Sequence, residues 1–533
     1  MSRSPTPNTT LKHLLDSLSR QDAVSVWTDF PSTDQITITS VTEDSRRVQK
    51  GSLFVARPAR TGNARPDSDL SPHDGRHFIP DAIARGASAV LVEHNSDITL
   101  DLPHHIALIT TNDAPVASAH LAECFYGNPS DALSLVGITG TNGKTTIAWL
   151  VRCIMQHAGH KTGTLGTTGV YIGDTHTKAK LTTPFAEDLS STLADMMQAQ
   201  CEIATVEVSS HALDQHRADG LSFDIGVFTN LTGDHLDYHE TMDQYAAAKS
   251  RLFAMLPSNG LAVVNADDPA HATMLKDCTA NVVLCSASNP AYARVETLGA
   301  NLSGMKLRLT GPFGAISQTV PLVGAHNAMN TLQAVVIAHR LGLSVTQIAD
   351  ALPHVTAPAG RLQPVTSSDE QIAVFVDFAH TDDALEKSLN AARSIVPANA
   401  RLICVFGCGG DRDRTKRPRM GRVAYALSDV VVVTSDNPRT EDPLRVIDDI
   451  LAGLPDGVRN GDAEKTVHVD HVREQAVAWA IQHAQQGDVI VIAGKGHEDY
   501  QLLPDGKGGI LRRDFDDRRV ARAALDALTP HAL

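Results

Sequence analysis

From Leu133 to Thr146 the chain reads LSLVGITGTNGKTT, an apolar run to Ile138 followed by the turn Gly140-Thr141-Asn142-Gly143. Lys144-Thr145-Thr146 then opens a helical pattern that passes Trp149, Leu150 and Val151 and stops at Gly159. A strand, a glycine turn and a helix N-terminus together cradle an anion. Backbone N–H groups point at it, the helix dipole favours its charge, and glycine lets the backbone approach closely. In such a cradle Lys144 reaches the terminal phosphates and the Thr145 hydroxyl ligates Mg²⁺. The spacing is a shortened G-x-x-G-K-T: the position five residues before Gly143, usually glycine, is Ile138. A turn that merely joins strand to helix is the alternative. With strand and helix both in place, the stretch predicts a nucleotide site.

Other polar residues fall at the ends of apolar runs. Ile203–Val206 stops at Glu207, followed by Val208-Ser209-Ser210-His211, and Ile225–Phe228 stops at Thr229-Asn230, followed by Asp234, His235 and His239. In open α/β sheets ligands bind beyond the carboxyl ends of the strands, and a carboxylate there holds Mg²⁺ through oxygen. Singly, Glu207 reads as a paired carboxylate and His235 as a satisfied loop histidine. Their shared domain with the phosphate loop favours the site. Tyr245–Phe253 is a good helix, and by propensity alone its Lys249 is a solvated surface residue. Further on, four apolar runs lead to polar loops: Asp377 and His380, Gly407–Asp413, Asp436-Asn437-Pro438-Arg439, and Gly494-Lys495-Gly496-His497-Glu498. Neither glycine cluster is a dinucleotide fingerprint, because its last glycine would fall on Arg412 or Asp499. If that sheet is parallel, Arg412, Arg439 and Glu498 converge on one edge. Guanidinium beside carboxylate suits a zwitterion with more than one carboxylate, or else an internal ion-pair network.

The elements that must position these residues are α/β throughout. At 533 residues the chain exceeds a single core, and 42% apolar residues argue against disorder. A net charge of −15 argues against nucleic acid as a partner. The seven cysteines are scattered and odd in number, so no disulfide framework is predicted, and Cys404 and Cys408 read as packing residues. No 18-residue apolar stretch or leader-like h-region occurs, which predicts a cytoplasmic protein without membrane insertion. Residues 1–128 carry no evident catalytic constellation. Tyr126–Ser130 punctuates the chain before the phosphate strand, residues 131–356 alternate strand and helix as in an open parallel sheet, and Ala357-Pro358-Ala359-Gly360 links to a third alternating region. The expected domains are 1–130, 131–356 and 357–533.

In order, GTNGKTT (140–146), TTP (182–184), EVSSHALDQHR (207–217), NLTGDHLDYH (230–239), YAAAK (245–249), GAHNAMN (324–330), DFAHTDDALE (377–386), FGCGGDRDRTKRP (406–418), DNPRTEDP (436–443) and AGKGHEDYQ (493–501) resemble the Mur ligase family of ATP-dependent amide ligases. The resemblance implies an N-terminal domain for the UDP end of a substrate, a central P-loop ATPase with a mostly parallel sheet, and a Rossmann-like C-terminal domain. It implies ATP as co-substrate, held by Gly140–Thr146, Asn330, Arg361 and Asp377, and Mg²⁺ held by Thr145, Glu207, His235 and a CO₂-derived carbamate on Lys249. Lys144, Lys249 and His235 would be the catalytic set. Ser45, Thr182, Thr183, Ser209, Gln215 and Arg217 match contacts to a UDP-MurNAc-dipeptide. Arg412, Asp436, Asn437, Pro438, Arg439, Gly494 and Glu498 match an amino-acid site for meso-diaminopimelate, with L-lysine, or a folylpolyglutamate-type acceptor, as alternatives. A P-loop switch without an amide product is the reading from another class, and a monomer is expected. Ala59–Leu70 looks like an insertion, so assignments near His73 stay open, and Ala359, Gln363 and Asp382 depart from the family pattern.

Overall fold

The computed structural model describes residues 9–19, 24–28, 30–58, 74–94, 102–366, 371–455 and 465–528. The insertion at Ala59–Leu70 and the positions near His73 lie outside them, as does the start of the chain. The chain forms two compact units, residues 1–144 with 159–284 and residues 145–158 with 285–533.

Two sheets of the first unit bear on the site. The smaller runs Val26–Trp27, Ala107–Thr111, Ala89–Glu93, Ser52–Ala56, Ser40–Thr42, parallel except for its first strand. Alternation at a period of two buries both faces. Leu53 and Val55 pack with Leu11, Leu14, Leu121 and Phe125, while Phe54 and Ala56 pack with Ile79 and Ala82. In the larger sheet the phosphate strand Ser134–Thr139 is central, with Ile203–Glu207 parallel on one side and Ile225–Phe228 on the other. Thr162–Gly166 lies beyond Ile203–Glu207, and Leu261–Asn265 beyond Ile225–Phe228. Strand order therefore reverses at the phosphate strand, the position where open α/β sheets place their ligands. Leu135, Leu165, Val206, Phe228, Leu189, Phe223 and Leu252 fill its core.

In the second unit, residues 293–320 depart from the expected strand–helix alternation. Ala293–Asn301, Gly304–Gly311 and Gly314–Val320 are antiparallel hairpin strands. Met305, Leu307 and Leu309 face inward and Lys306, Arg308 and Thr310 outward, a two-residue period that a run of helix cannot produce. A six-stranded sheet runs Gln363–Pro364, Ala373–Asp377, Val489–Ala493, Leu402–Phe406, Val430–Val433, Thr466–Val469, parallel after its first short strand. Four polar loops thus leave one edge of a parallel sheet, as their apolar runs predict. Cys404 and Cys408 are buried free thiols whose burial pushes both up to about 12, with Cys408 packed 3.6 Å from Met420 Sδ. No described helix is long and apolar enough to cross a membrane.

Candidate active site

After Thr139 the backbone turns through Gly140 (φ 140°) and Gly143 (φ 93°), and the helix Lys144–His157 begins. The turn is clamped by the loop after the neighbouring strand. Thr229 Oγ1 and Asn230 Nδ2 donate to Asn142 O at 2.6 and 3.0 Å, and Thr141 N and Asn142 N donate to Asn230 O and Oδ1 at 2.8 and 3.0 Å. A Cβ on Gly140 would strike the Thr229 hydroxyl, so a side chain here would open the cradle. Lys144 Nζ lies over the turn, donating to Gly140 O and Thr141 O at 2.8 Å each. Thr145 and Thr146, next along the helix, are buried.

Lys249 is not the surface residue that helix propensity suggests. It is 1% exposed, on the stripe Tyr245, Lys249, Leu252, Phe253 by which the helix Met242–Ala254 packs. Its Nζ donates to Gly140 O at 3.1 Å, the carbonyl that also takes Lys144, and sits 4.2 Å from the Tyr245 ring centroid. Burial first, and the Lys144 charge second, drive its basicity well below that of an ordinary lysine. Glu207, also buried, accepts from Thr167 N at 2.9 Å and Thr167 Oγ1 at 3.0 Å, lying against Gly166 where any Cβ would collide with it. His235 stands at the rim in the left-handed region (φ 54°), half exposed, 3.5 Å from Asp234 and edge-on to the His211 ring. No group of three His, Cys, Asp or Glu side chains spaced for a metal occurs among the described residues. The donor set nonetheless fits Mg²⁺. The Glu207 carboxylate offers oxygen, the donor atom Mg²⁺ takes, and a neutral amine at Lys249 is the form that would condense with CO₂ to offer another.

The residues matched to the dipeptide lie in one hydrogen-bonded network. Thr183 Oγ1 donates to Glu207 O at 2.7 Å and meets Ser209 N at 3.0 Å, and Thr182 Oγ1 is 3.2 Å from Thr167 Oγ1. Arg217 donates to Thr183 O at 2.8 Å and to Gln215 Oε1 at 2.6 and 3.1 Å, its guanidinium 4.4 Å from the Phe185 ring centroid. Ser45 is buried and hydrogen-bonds to Asp81, whose carboxyl this holds below its usual range.

In the second unit, Asn330 is buried and donates to Asn327 Oδ1 at 3.0 Å. Arg361 lies with its guanidinium 5.1 Å from the Phe378 ring centroid, following Gly360 at φ 68°. Asp377 is largely committed within its own domain, since it accepts from Leu362 N, Ala379 N and Ser388 Oγ at 2.7–2.9 Å. At the sheet edge the strand-end loops converge. Arg439 Nη1 donates to Gly410 O at 2.7 Å, and a Cβ on Gly409 would sit 3.1 Å from that guanidinium and 3.7 Å from Arg412 Cγ. Asn437 Nδ2 donates to Glu498 Oε2 at 2.8 Å, and Gly494 faces the Asp436 carboxylate. Burial would raise Glu498, but Lys495 and Asn437 hold it below the usual carboxylate range.

Residues 138–338 match the family described as Mur ligase middle domain, and residues 360–496 the Mur ligase, glutamate ligase domain. The chain belongs to the Mur ligase family. A UDP-N-acetylmuramoyl-L-alanyl-D-glutamate–2,6-diaminopimelate ligase of Synechococcus elongatus is 43% identical over 92% of this chain and 94% of its own length. A protein of the same name from Geobacter metallireducens is 41% identical over 91% and 94%. A solved structure of a ligase so named matches with a TM-score of 0.70 at 31% identity, over 98% of this chain and 99% of that one. MurF ligase from Thermotoga maritima in complex with ADP shares the fold, with a TM-score of 0.58 at 17% identity over 92% of this chain.

Two features of this Mur ligase escaped the sequence. Lys495 is fully buried and bridges Asn437 Oδ1 at 3.0 Å and Glu498 Oε2 at 2.9 Å, with Asp436 at 3.7 Å. A lysine between two glycines directly after an all-apolar strand was its only signal. The Thr229–Asn230 clamp had a weaker one, two short polar residues where the neighbouring strand stops.

Proposed function

We propose that this chain is an ADP-forming ligase that joins meso-diaminopimelate to the D-glutamyl γ-carboxylate of UDP-MurNAc-L-Ala-D-Glu, a cytoplasmic step of peptidoglycan precursor synthesis. The observation that carries this reading is the similarity, at 43% identity over 92% of the chain, to relatives named for that reaction. The substrate γ-carboxylate attacks the γ-phosphorus of ATP, and ADP leaves. The diaminopimelate amine then attacks the acyl phosphate, and inorganic phosphate departs from the tetrahedral intermediate.

Each step asks something of particular residues. The Lys144 ammonium and the N-terminus of its helix face the charge that develops on the transferring phosphoryl group, where positioning and electrostatics supply most of the catalysis. Mg²⁺, held by Glu207, the Lys249 carbamate and the Thr145 hydroxyl with His235 nearby, would supply further charge neutralisation. Thr183, Ser209, Gln215 and Arg217 hold the dipeptide. Arg439 takes the distal carboxylate of diaminopimelate as a planar fork, while Asp436 and Glu498 face its ammonium groups. Holding the amine in place supplies proximity and limits hydrolysis of the acyl phosphate.

The test is product analysis after mixing the protein with ATP, Mg²⁺, the nucleotide-dipeptide and candidate amino acids. ADP, phosphate and a nucleotide-tripeptide containing diaminopimelate are expected in equal amounts. AMP with pyrophosphate would overturn the acyl-phosphate route, and ATP cleavage without an amide product would favour a switch.

A further inference from the structure

Gln215 is fixed at three points, and each contact comes from a different part of the first unit. Its backbone carbonyl accepts from Arg57 Nη2 at 2.6 Å, and Arg57 is itself paired with both oxygens of Glu43 at 3.0–3.1 Å. Its side-chain Oε1 takes Arg217, which has only donors, so the amide orientation is unambiguous. Nε2 therefore faces Tyr238 Oη, at 3.1 Å. Tyr238 in turn donates its only proton to Asp214 Oδ2 at 2.7 Å, which leaves its oxygen as the acceptor for Gln215. The phenol ring is held by stacking, 4.1 Å from His211 and 4.8 Å edge-on to His239. Arg57 sets where Gln215 sits, and Tyr238 sets which way its amide faces.

We propose that Tyr238 is a positioning residue for the dipeptide end of the nucleotide substrate, acting through Gln215. The inference rests on the function proposed above. A free amide would swing, lose the Arg217 pairing for part of the time, and present a donor where the pair presents a guanidinium held in one plane. The residue at 215 must accept from Arg217 and donate to Tyr238 at once, which a glutamine does and a glutamate does not.

The test is a double-mutant cycle on the full chain, read as KM for the nucleotide-dipeptide, KM for ATP, and kcat. Tyr238→Phe keeps the ring and its stacking, and loss of one hydrogen bond is expected to raise KM for the nucleotide-dipeptide about threefold to tenfold. KM for ATP should stay constant, and kcat should stay within about twofold, as for a contact that contributes equally to ground and transition states. Gln215→Ala should raise the same KM, and adding Tyr238→Phe to it should do nothing further, because the phenol has lost the group it orients. An unchanged KM in Tyr238→Phe, a rise of equal size in the Gln215→Ala background, or a fall confined to kcat would each overturn the inference. Wild-type protein that binds the nucleotide-dipeptide but forms no amide would overturn the proposed reaction alone. Failure of the wild type to bind it would overturn both.

Discussion

At the scale of single residues, the buried amine and the sheet-edge arginine make the sharpest predictions. Lys249 is charged in an unfolded chain up to about pH 10.4 and resists that charge when folded, so its burial opposes folding at neutral pH and the opposition eases as pH rises. Lys249→Met should therefore abolish ligase activity while leaving the melting temperature in nucleotide-free buffer unchanged or raised. A structural lysine would show the reverse, a lower melting temperature with activity retained. Arg439 discriminates by a single carboxylate, since lysine lacks the distal one of diaminopimelate. A charge-assisted pair contributes about 1.5–3 kcal/mol, so Arg439→Ala should lower kcat/KM for diaminopimelate roughly ten- to a hundredfold and spare residual use of lysine. Arg439→Lys should rescue poorly, because an ammonium cannot reproduce the planar fork. Equal losses for both amino acids would show that Arg439 does not read the distal carboxylate.

At the scale of elements, the strand ends were legible because an apolar run buried on both faces must stop where its polar residues begin. Glu207 and Asp377 both mark such stops. Side-chain burial was not legible where it contradicts residue type: nothing local in YAAAK turns Lys249 inward, and only the packing of Tyr245 and Phe253 does so. The hairpins of 293–320 were missed for a related reason, since their alternation is interrupted by short turns at Ser303 and Phe313. Nor did any motif point to the clamp beneath the amino-acid loops. Arg473 and Asp517, both fully buried and each opening a helix, are joined by two bonds of 2.7 Å, and Arg473 also donates to Ser435 O and Ala493 O at 3.3 and 2.9 Å. The pair thereby ties the residues just before Asp436 and Gly494. Arg473→Met should cost about 3–5 kcal/mol in denaturant unfolding because it strands a buried carboxylate, and Arg473→Met/Asp517→Leu should recover part of that. Amino-acid affinity should stay low in both variants, which separates loop position from fold stability.

At the scale of the whole molecule, two carboxylates tilt the pH dependence of stability in opposite directions. Burial raises Glu187 from 4.5 to about 7, against the opposing pull of the Arg47 charge and the Thr42 hydrogen bond, so the folded state keeps a proton that the unfolded chain releases. That contribution is complete below about pH 4.5 and is lost as pH rises through 7. Hydrogen bonds from Arg417 lower Glu441 to about 2, so its contribution is complete above about pH 4.5 and is lost as pH falls toward 2. Glu187→Gln should flatten the decline in melting temperature between pH 5 and pH 8, whereas Glu441→Gln should lower it at pH 7 and matter little at pH 2; scans across pH 2–9 decide both. The sequence, with its charge spread along the chain, holds no sign of either shift. The seven thiols, none of them in a disulfide, also turn the molecule into its own clock. Cys124 and Cys201 are buried in the first unit and Cys285, Cys404 and Cys408 in the second, while Cys153 and Cys278 are partly open. A thiol reagent will consume the open pair at once and each buried thiol only as fast as its surroundings come apart. Mass spectrometry of labelled peptides against time would then rank the opening of the two units without a probe being attached to either.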